Sequence, residues 1–175
     1  MNEMTSCAEQ KNFLSPIGFR FSIQKLAGVN YFCTSASLPA VTMGQIETAD
    51  TPFNRLAVPG DKLAYGDFSL RFRVDEDMEN YQEIYNWMVA LGYPDNFGQY
   101  PKFNRSSQPS AKTVYSDASL IITTNQYKPN VEVKFVDLYP TNISGVDFTV
   151  EETDVNYLLA DATFRYRSFE LISVS

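Results

Sequence analysis

Residues 67–74 alternate strictly between polar and apolar side chains. The apolar members are Phe68, Leu70, Phe72 and Val74, and the polar members between them are Ser69, Arg71 and Arg73. A period of two places every apolar side chain on one face of a β-strand. That face must be covered by a second layer, so this segment predicts a domain built around packed β-sheets.

Several other segments carry the same strand signature. They are residues 19–24, 31–41, 114–124, 131–138 and 158–172. The first two are predicted to form a hairpin around Ala27-Gly28, and residues 158–172 are predicted to form one strand. Residues 1–16 are polar and irregular and are interpreted as an N-terminal arm, with residues 17–175 as a single domain. The predicted fold is mainly β, a sandwich or barrel of about six or seven antiparallel strands.

One helix is predicted near residues 77–91. The acidic run Asp75-Glu76-Asp77 suits the positive end of a helix dipole, and Gly92 followed by Pro94 provides a stop. Apolar or aromatic residues recur between them at spacings of three and four: Met78, Tyr81, Ile84, Tyr85, Met88 and Leu91. Residues 92–112, rich in Gly, Pro, Ser and Asn, are predicted to form a long surface loop.

Residues 42–58 are largely polar, with a turn predicted at residues 50–52 and another at residues 59–61. Ile46, Leu56 and Val58 have one parity, whereas Gln45, Glu47 and Arg55 have the other. A hairpin with so few apolar residues buries little by itself. The residues alone therefore favour a mobile loop, and the alternative is an extended hairpin that another subunit completes.

Catalytic signatures are absent from the sequence. There is no histidine, and the two cysteines, Cys7 and Cys33, lack metal-binding spacing. The acidic pairs Glu151-Glu152 and Asp75-Asp77 are explained by a loop and a helix start. The prediction is that the chain is not an enzyme and holds no cofactor or metal.

The charge and hydropathy of the chain constrain its partners. A formal net charge of -7 opposes binding to nucleic acid through phosphate neutralisation, which requires a basic face. No stretch approaches the roughly 18 apolar residues of a membrane span, and the N-terminus lacks a leader pattern. These features predict a soluble protein made in the cytoplasm, without membrane insertion. Trp87 and the eleven tyrosines leave open a carbohydrate-binding β-sandwich with an exposed aromatic platform.

The order of motifs resembles one known family. SASLPAV (35–41) closes a strand with a Leu-Pro pair, and FNRLAVPGDKLAYGDFSLRFRVDED (53–77) leads through an acidic turn into the tryptophan-bearing NYQEIYNWMVALG (80–92). VEVKFVDLYPTNI (131–143) and TFRY (163–166) follow in the expected order. Over roughly residues 17–172 the chain resembles the tail tube proteins of contractile-tailed bacteriophages, a fold shared with type VI secretion and pyocin tubes.

The resemblance implies a structural virion protein. It implies homohexameric rings, stacked into a channel for DNA ejection, which phage DNA crosses without specific binding. Tail sheath and baseplate proteins are the implied partners, and assembly would take place in the host cytoplasm. The resemblance equally fits a ring that initiates, adapts or terminates the tube.

The same resemblance gives residues 42–58 a role as a hairpin completed by adjacent subunits. The implied lumen-facing residues are Gln45, Glu47 and Arg55. The implied residues that pack between subunits are Ile46, Leu56 and Val58.

Overall fold

The computed structural model describes residues 13–14, 16–26, 33–51, 54–92, 115–149 and 156–174, without the side chains of 47–51 and 54–57. Its elements are β1 (Phe19–Ile23), β2 (Cys33–Ser37), β3 (Val41–Thr51), β4 (Asn54–Tyr65), β5 (Phe68–Arg73), α1 (Glu79–Gly92), β6 (Ser116–Thr123), β7 (Pro129–Ile143), β8 (Leu159–Arg165) and β9 (Ser168–Ser173). Seven of the strands form one bent sheet, and β3 and β4 form a separate ribbon. The prediction of a mainly β fold with one helix is confirmed.

The bent sheet folds into two layers that share the long strand β7. Residues 131–136 of β7 pair with β9 on one side and β6 on the other, and β1 lies beyond β6. Residues 139–143 of the same strand pair with β8, which is followed by β5 and β2. We call the layer β1-β6-β7-β9 the first sheet and the layer β7-β8-β5-β2 the second sheet. Every pairing is antiparallel.

Aromatic side chains fill the space between the two sheets. Phe68 of the second sheet lies 5.1 Å from Phe21 and 4.8 Å from Phe135 of the first sheet, measured between ring centroids. All three are buried. The predicted alternation in residues 67–74 is confirmed, because the even-numbered residues of β5 point into this core and the odd-numbered ones are exposed. Tilted ring pairs of this kind contribute beyond the area they bury.

The predicted helix is confirmed, shifted by one or two residues at each end. Asp75 forms a turn before it, in which the Met78 N–H donates to the Asp75 carbonyl at 2.9 Å. Asn80 is buried and joins the helix to the end of β5, since its Nδ2 donates to the Arg73 carbonyl at 2.8 Å. Its Oδ1 accepts from the Asp75 N–H at 3.3 Å. The first turn is therefore fixed to the second sheet by paired buried amide groups.

Trp87 belongs to the core. It is fully buried, with its ring 6.4 Å from that of Phe164, and the Lys25 Nζ lies 5.8 Å from the ring centroid. The tryptophan therefore provides no exposed platform for a sugar, which removes the main support for the carbohydrate-binding alternative.

The prediction that the first two strands form a hairpin is wrong. β1 pairs with β6 in the first sheet, whereas β2 pairs with β5 in the second sheet. The partner of β1 lies about a hundred residues further along the chain, and the partner of β2 lies about forty residues further along. The two strands therefore join different layers. Residues 27–32, where the hairpin turn was predicted, lie outside the described residues.

Residues 158–172 form two strands, so the prediction of a single strand is wrong. β8 pairs with β5 and β7 in the second sheet, and β9 pairs with β7 in the first. The chain crosses between layers at Tyr166 and Arg167, where the Arg167 N–H donates to the Val136 carbonyl at 3.0 Å. No glycine or proline marks this crossing, but the apolar residues change from even to odd numbers between Tyr166 and Phe169.

Residues 42–51 and 54–58 lie in the paired strands β3 and β4, so the mobile loop favoured by the residues alone is wrong. The turn predicted at residues 59–61 is also wrong, because Pro59 and Gly60 lie inside β4. A two-stranded ribbon leaves one edge of each strand unpaired, and a proline can occupy such an edge without losing a ladder hydrogen bond.

The remaining predicted strands are confirmed with shifted ends, and β7 extends five residues beyond residue 138. Most of the predicted arm and of the 92–112 loop lies outside the described residues.

Candidate assembly surface

The β3–β4 ribbon stands away from the sandwich. Every described side chain in it is exposed except at the half-buried Gly60. The exposed apolar members are Val41, Met43, Ile46, Val58, Leu63 and Tyr65. A ribbon with both faces uncovered cannot supply its own core, and exposed apolar side chains in such number are typical of a surface that binds another protein.

The register of the ribbon bears on the predicted lumen and packing residues. Ile46 pairs with Val58 and Gln45 pairs with Pro59. Residues directly opposite each other share a face, so Ile46 and Val58 lie together and are 55% and 40% exposed. Gln45 lies on the other face and is exposed as well.

The other three predicted residues are placed by their backbone alone. Glu47 pairs with Ala57, and Leu56 pairs with Thr48. Arg55 lies in β4 next to Leu56. The backbone register therefore agrees with the two groups defined by parity. Their roles as lumen-facing and inter-subunit residues stay predictions.

The strand pairing and the parity of the exposed apolar residues both change where Gly44 and Gly60 approach each other. A Cβ atom on Gly60 would lie 2.7 Å from the Gly44 carbonyl oxygen, whereas one on Gly44 would meet nothing within 4 Å. The pairing is irregular here, since Met43 faces Leu63 but Gln45 faces Pro59. The exposed apolar residues have odd numbers on the root side of this point and even numbers on the tip side. The apolar residues thus change parity at the point where the pairing is irregular.

The root of the ribbon is fastened by hydrogen bonds. The Gly66 N–H donates to the Ala40 carbonyl at 2.8 Å, and the Tyr166 hydroxyl donates to the Gly66 carbonyl at 2.9 Å. Burial, followed by the nearby Tyr65 and Asp67, raises the pKa of Tyr166 to about 12. The phenol therefore stays protonated and keeps its donor role.

Aromatic rings extend this attachment into the core. The Tyr65 ring lies 5.6 Å from Phe169 and 6.0 Å from Tyr166, and Tyr166 lies 5.1 Å from the buried Phe135. We call Tyr65, Phe135, Tyr166 and Phe169 the root cluster. Edge-to-face packing of this kind fixes the direction in which the ribbon leaves the sandwich.

A Tyr166→Phe variant tests the root hydrogen bond. It keeps the ring contacts and removes one donor, so we expect a loss of about 1 kcal/mol in unfolding free energy. Since the pKa of Tyr166 is raised above its usual value, its contribution is fully present below about pH 10 and is lost as the pH rises towards about 12. Urea unfolding at pH 8 and pH 11 measures both effects. A stability difference that does not shrink at pH 11 would contradict the assignment.

Within the described residues, the second sheet has two free edges. Among the described residues, β2 pairs only with β5, and residues 139–143 of β7 pair only with β8. The strands of this layer alternate in direction, so β2 at one edge runs opposite to β7 at the other. The edge of one copy can therefore continue antiparallel into the edge of the next.

The outer face of the second sheet is polar and carries paired charges. The Arg71 Nε and Nη2 donate to the two carboxylate oxygens of Asp161 at 2.7 and 3.0 Å. The Arg165 Nε donates to Asp67 Oδ1 at 2.9 Å. Hydrogen bonding from Arg71 lowers the pKa of Asp161 from its ordinary value, and the Asp161 carboxylate raises the pKa of Arg71. The alternation indicated that Arg71 is exposed, but no sequence signal identifies partners so far along the chain.

The described part of the chain has neither a membrane-spanning helix nor a metal-ligand cluster. None of its helices is long and apolar enough to cross a membrane. Its His, Cys, Asp and Glu residues form no group of three that could hold a metal ion.

The described residues form a β-sandwich with an exposed ribbon and a second sheet open at both edges, and comparison with known proteins assigns the chain to a family. The chain belongs to the phage tail tube protein family, whose sequence model matches residues 3–172. It is 25% identical over 143 residues to the tail tube terminator protein of Enterobacteria phage T4, a match that covers 78% of this chain and 74% of the relative.

Solved structures share the fold. The tube-terminating cap of the anti-feeding prophage has a TM-score of 0.63 at 14% identity, covering 99% of this chain and 100% of that one. A sheath/tube terminator of the PVC extracellular contractile injection system has a TM-score of 0.60 at 15% identity, covering 93% and 99%. A chain of the PVC sheath-tube complex has a TM-score of 0.59 at 14% identity, covering 97% and 99%.

Proposed function

We propose that this chain forms a ring that terminates a phage tail tube. The observation that carries this proposal is the similarity to the tail tube terminator of phage T4 over most of both chains. The fold shared with two terminator proteins of contractile injection systems supports it. The protein acts by assembly and not by catalysis.

Ring closure follows from the free edges of the second sheet. When the β2 edge of one copy joins the β7 edge of the next, the interface is head-to-tail, and repetition of that contact closes a ring. Each copy contributes four strands to a continuous antiparallel barrel. Closed sheets of more than about 16 strands enclose an aqueous channel. Six copies, the number implied by the family resemblance, exceed that size.

The outer face of the second sheet borders this channel. Its inner face is covered by the first sheet and α1, so the bulk of each copy lies outside the barrel. The exposed face carries two ion pairs and short polar side chains together with Arg73 and Leu159, and phage DNA passes it without specific binding. The ribbon leaves the sheet between β2 and β5 and reaches a neighbouring copy, where Ile46, Leu56 and Val58 pack and Gln45, Glu47 and Arg55 face the lumen.

Tail sheath and baseplate proteins remain candidate partners at the outside of such a ring. The support is the fold shared with a chain from a sheath-tube complex and with one from the anti-feeding prophage baseplate, which has a TM-score of 0.57 at 10% identity. The protein is then a virion component that assembles in the host cytoplasm.

A repeating tube subunit is the second candidate function. It is favoured by the fold shared with the PVC sheath-tube complex. The two functions differ in whether one ring accepts another, and both need the same lateral contacts.

Negative-stain electron microscopy of the purified full chain across a concentration series separates them. We expect single six-fold rings of constant height that do not lengthen as the concentration rises. Long tubes would instead identify a repeating subunit. Monomers at every concentration, with or without preformed tail tubes, would contradict both assembly functions.

A further inference from the structure

We propose that the outer face of the second sheet is a latent polyphosphate-binding surface whose arginines are neutralised by carboxylates of the same chain. Asp161 holds Arg71, and Asp67 holds Arg165. This inference rests on the proposed function, in which that face borders the DNA channel. The polyphosphate in question is a nucleic acid backbone, and the carboxylates keep it from adhering to the arginines.

Three arginines lie in a row along this face, with Arg165 four strand residues, or about 13 Å, from Arg71. Arg71 and Arg73 are successive outward residues of β5, and Arg165 is an outward residue of the neighbouring strand β8. The two strands are adjacent, with Phe68 paired to Phe164 and Arg71 paired to Asp161. Arginines grouped on one exposed sheet surface are an electrostatic footprint for nucleic acid, even in a chain of acidic overall charge.

The carboxylates occupy the groups that would bind phosphate. The Asp161 carboxylate takes two donors of Arg71, at 2.7 and 3.0 Å, in the fork arrangement that a phosphate would otherwise use. Asp67 takes the Nε of Arg165 at 2.9 Å. A phosphate approaching either arginine must displace a like-charged carboxylate that is already in contact.

The access of phosphate to Arg73 is reduced in another way. Its guanidinium lies 4.1 Å from the centroid of the Tyr157 ring, so one face of the cation is covered by an aromatic surface. Arg73 keeps its charge, and it stands beside Arg71 on the same face of β5. Release of Arg71 and Arg165 would therefore leave a row of three exposed cations along this face.

These ion pairs are unsuited to a purely stabilising role. The side chains of Arg71 and Asp161 are 53% and 51% exposed, and those of Arg165 and Asp67 are 63% and 44% exposed. Exposed pairs are screened by solvent and contribute little to folding. Their effect is on the surface itself, where they remove attraction for a polyanion while the face remains hydrophilic.

The test compares two variants that lose the same number of negative charges. Asp67→Asn with Asp161→Asn releases the two arginines of this face. Asp137→Asn with Glu132→Gln is the control, because Asp137 pairs with Arg167 beside a separate cleft and Glu132 accepts from Ser119 on the first sheet. Thermal melts establish that both are folded. The probe is a fluorescein-labelled 20-base-pair DNA duplex, titrated with the full chain below the concentration at which rings form.

We expect the D67N/D161N variant to bind the duplex at least about ten-fold more tightly than wild type. Two released arginines should add about two phosphate contacts, which steepens the slope of log K against log salt by about 1.8. The D137N/E132Q control is expected to change binding by less than about two-fold, because it releases only Arg167, which lies outside the row of arginines on the second sheet. Equal gains in the two variants, or no gain in either, would overturn the inference.

Electron microscopy of the same variants separates this inference from the proposed function. Rings with no gain in DNA binding would refute the neutralised surface and leave the ring intact. A gain in binding by a chain that never forms rings would support the surface chemistry and refute the channel.

Discussion

A Phe68→Ala variant is expected to lose about 3–5 kcal/mol of unfolding free energy, the typical cost of removing a large aromatic ring from a packed core. Phe68 is fully buried and its ring contacts both sheets, at 5.1 Å from Phe21 and 4.8 Å from Phe135. Its removal leaves a cavity at the point where the two layers meet. Since single domains are stable by about 5–15 kcal/mol, the loss is a large share of the total.

Urea unfolding followed by tryptophan fluorescence measures this loss, because Trp87 is buried in the same core. The matched control is Phe148→Ala, whose ring is 74% exposed. The control should change stability by less than about 0.5 kcal/mol. Similar losses in the two variants would contradict the placement of Phe68 between the sheets.

A Gly60→Ala variant is expected to abolish assembly while it leaves the sandwich folded. The new Cβ would lie 2.7 Å from the Gly44 carbonyl oxygen and 3.0 Å from its carbonyl carbon, and these backbone atoms can give way only if the ribbon shifts. Such a shift misplaces the tip of the ribbon relative to a neighbouring copy. Each weakened contact of about 1.4 kcal/mol raises the protein concentration needed for rings ten-fold, and the losses accumulate around a ring.

Gly44→Ala is the control on the opposite strand. A Cβ there meets nothing within 4 Å, and no described glycine has a positive φ, so alanine fits the backbone. We expect Gly44→Ala to form rings like wild type in electron microscopy. A Gly60→Ala variant that assembles at wild-type concentration would show that the close approach is unimportant to the neighbouring copy. A lowered melting temperature for Gly60→Ala would place its effect in the sandwich.

Local sequence patterns were sufficient to predict the elements that can be recognised without knowing what they pack against. The alternation at Phe68, Leu70 and Phe72 predicts a strand whatever lies beside it. The acidic turn and the spacing up to Leu91 likewise predict the helix. Trp87 did not belong to the predicted apolar face, and Tyr85, which did, is 53% exposed. The buried face of α1 is set by its packing on the sandwich and consists of Asn80, Ile84, Trp87 and Ala90.

Pairing between distant segments could not be predicted in the same way. β1 and β2 both read as strands, and neither carries a mark of the layer it joins. The crossing after Tyr166 does leave a sign in the sequence, because the apolar alternation changes parity at Arg167-Ser168, but that sign alone does not show which sheet each half joins. The pairing of Arg71 with Asp161 depends on the register of β5 against β8, which only the folded sheet defines.

The ribbon illustrates a different kind of limit. Its residues were judged by the core they can form within one chain, and by that standard they favour a mobile loop. The resemblance to tail tube proteins implied a hairpin, and the structure has one. Exposed Ile46 and Val58 are consistent with a surface whose stability depends on a second copy.

Because the ribbon is long, a small change in the angle at its root moves its tip by a large distance. With eleven residues in β3 and about 3.3 Å per residue, its tip lies about 36 Å from the root. A tilt of about 5° at the root would move the tip by about 3 Å, nearly the rise of one strand residue. A slip of one residue exchanges the two faces of a strand. The root cluster therefore acts as the alignment element of a long lever, and small changes in its packing are amplified where one subunit meets the next.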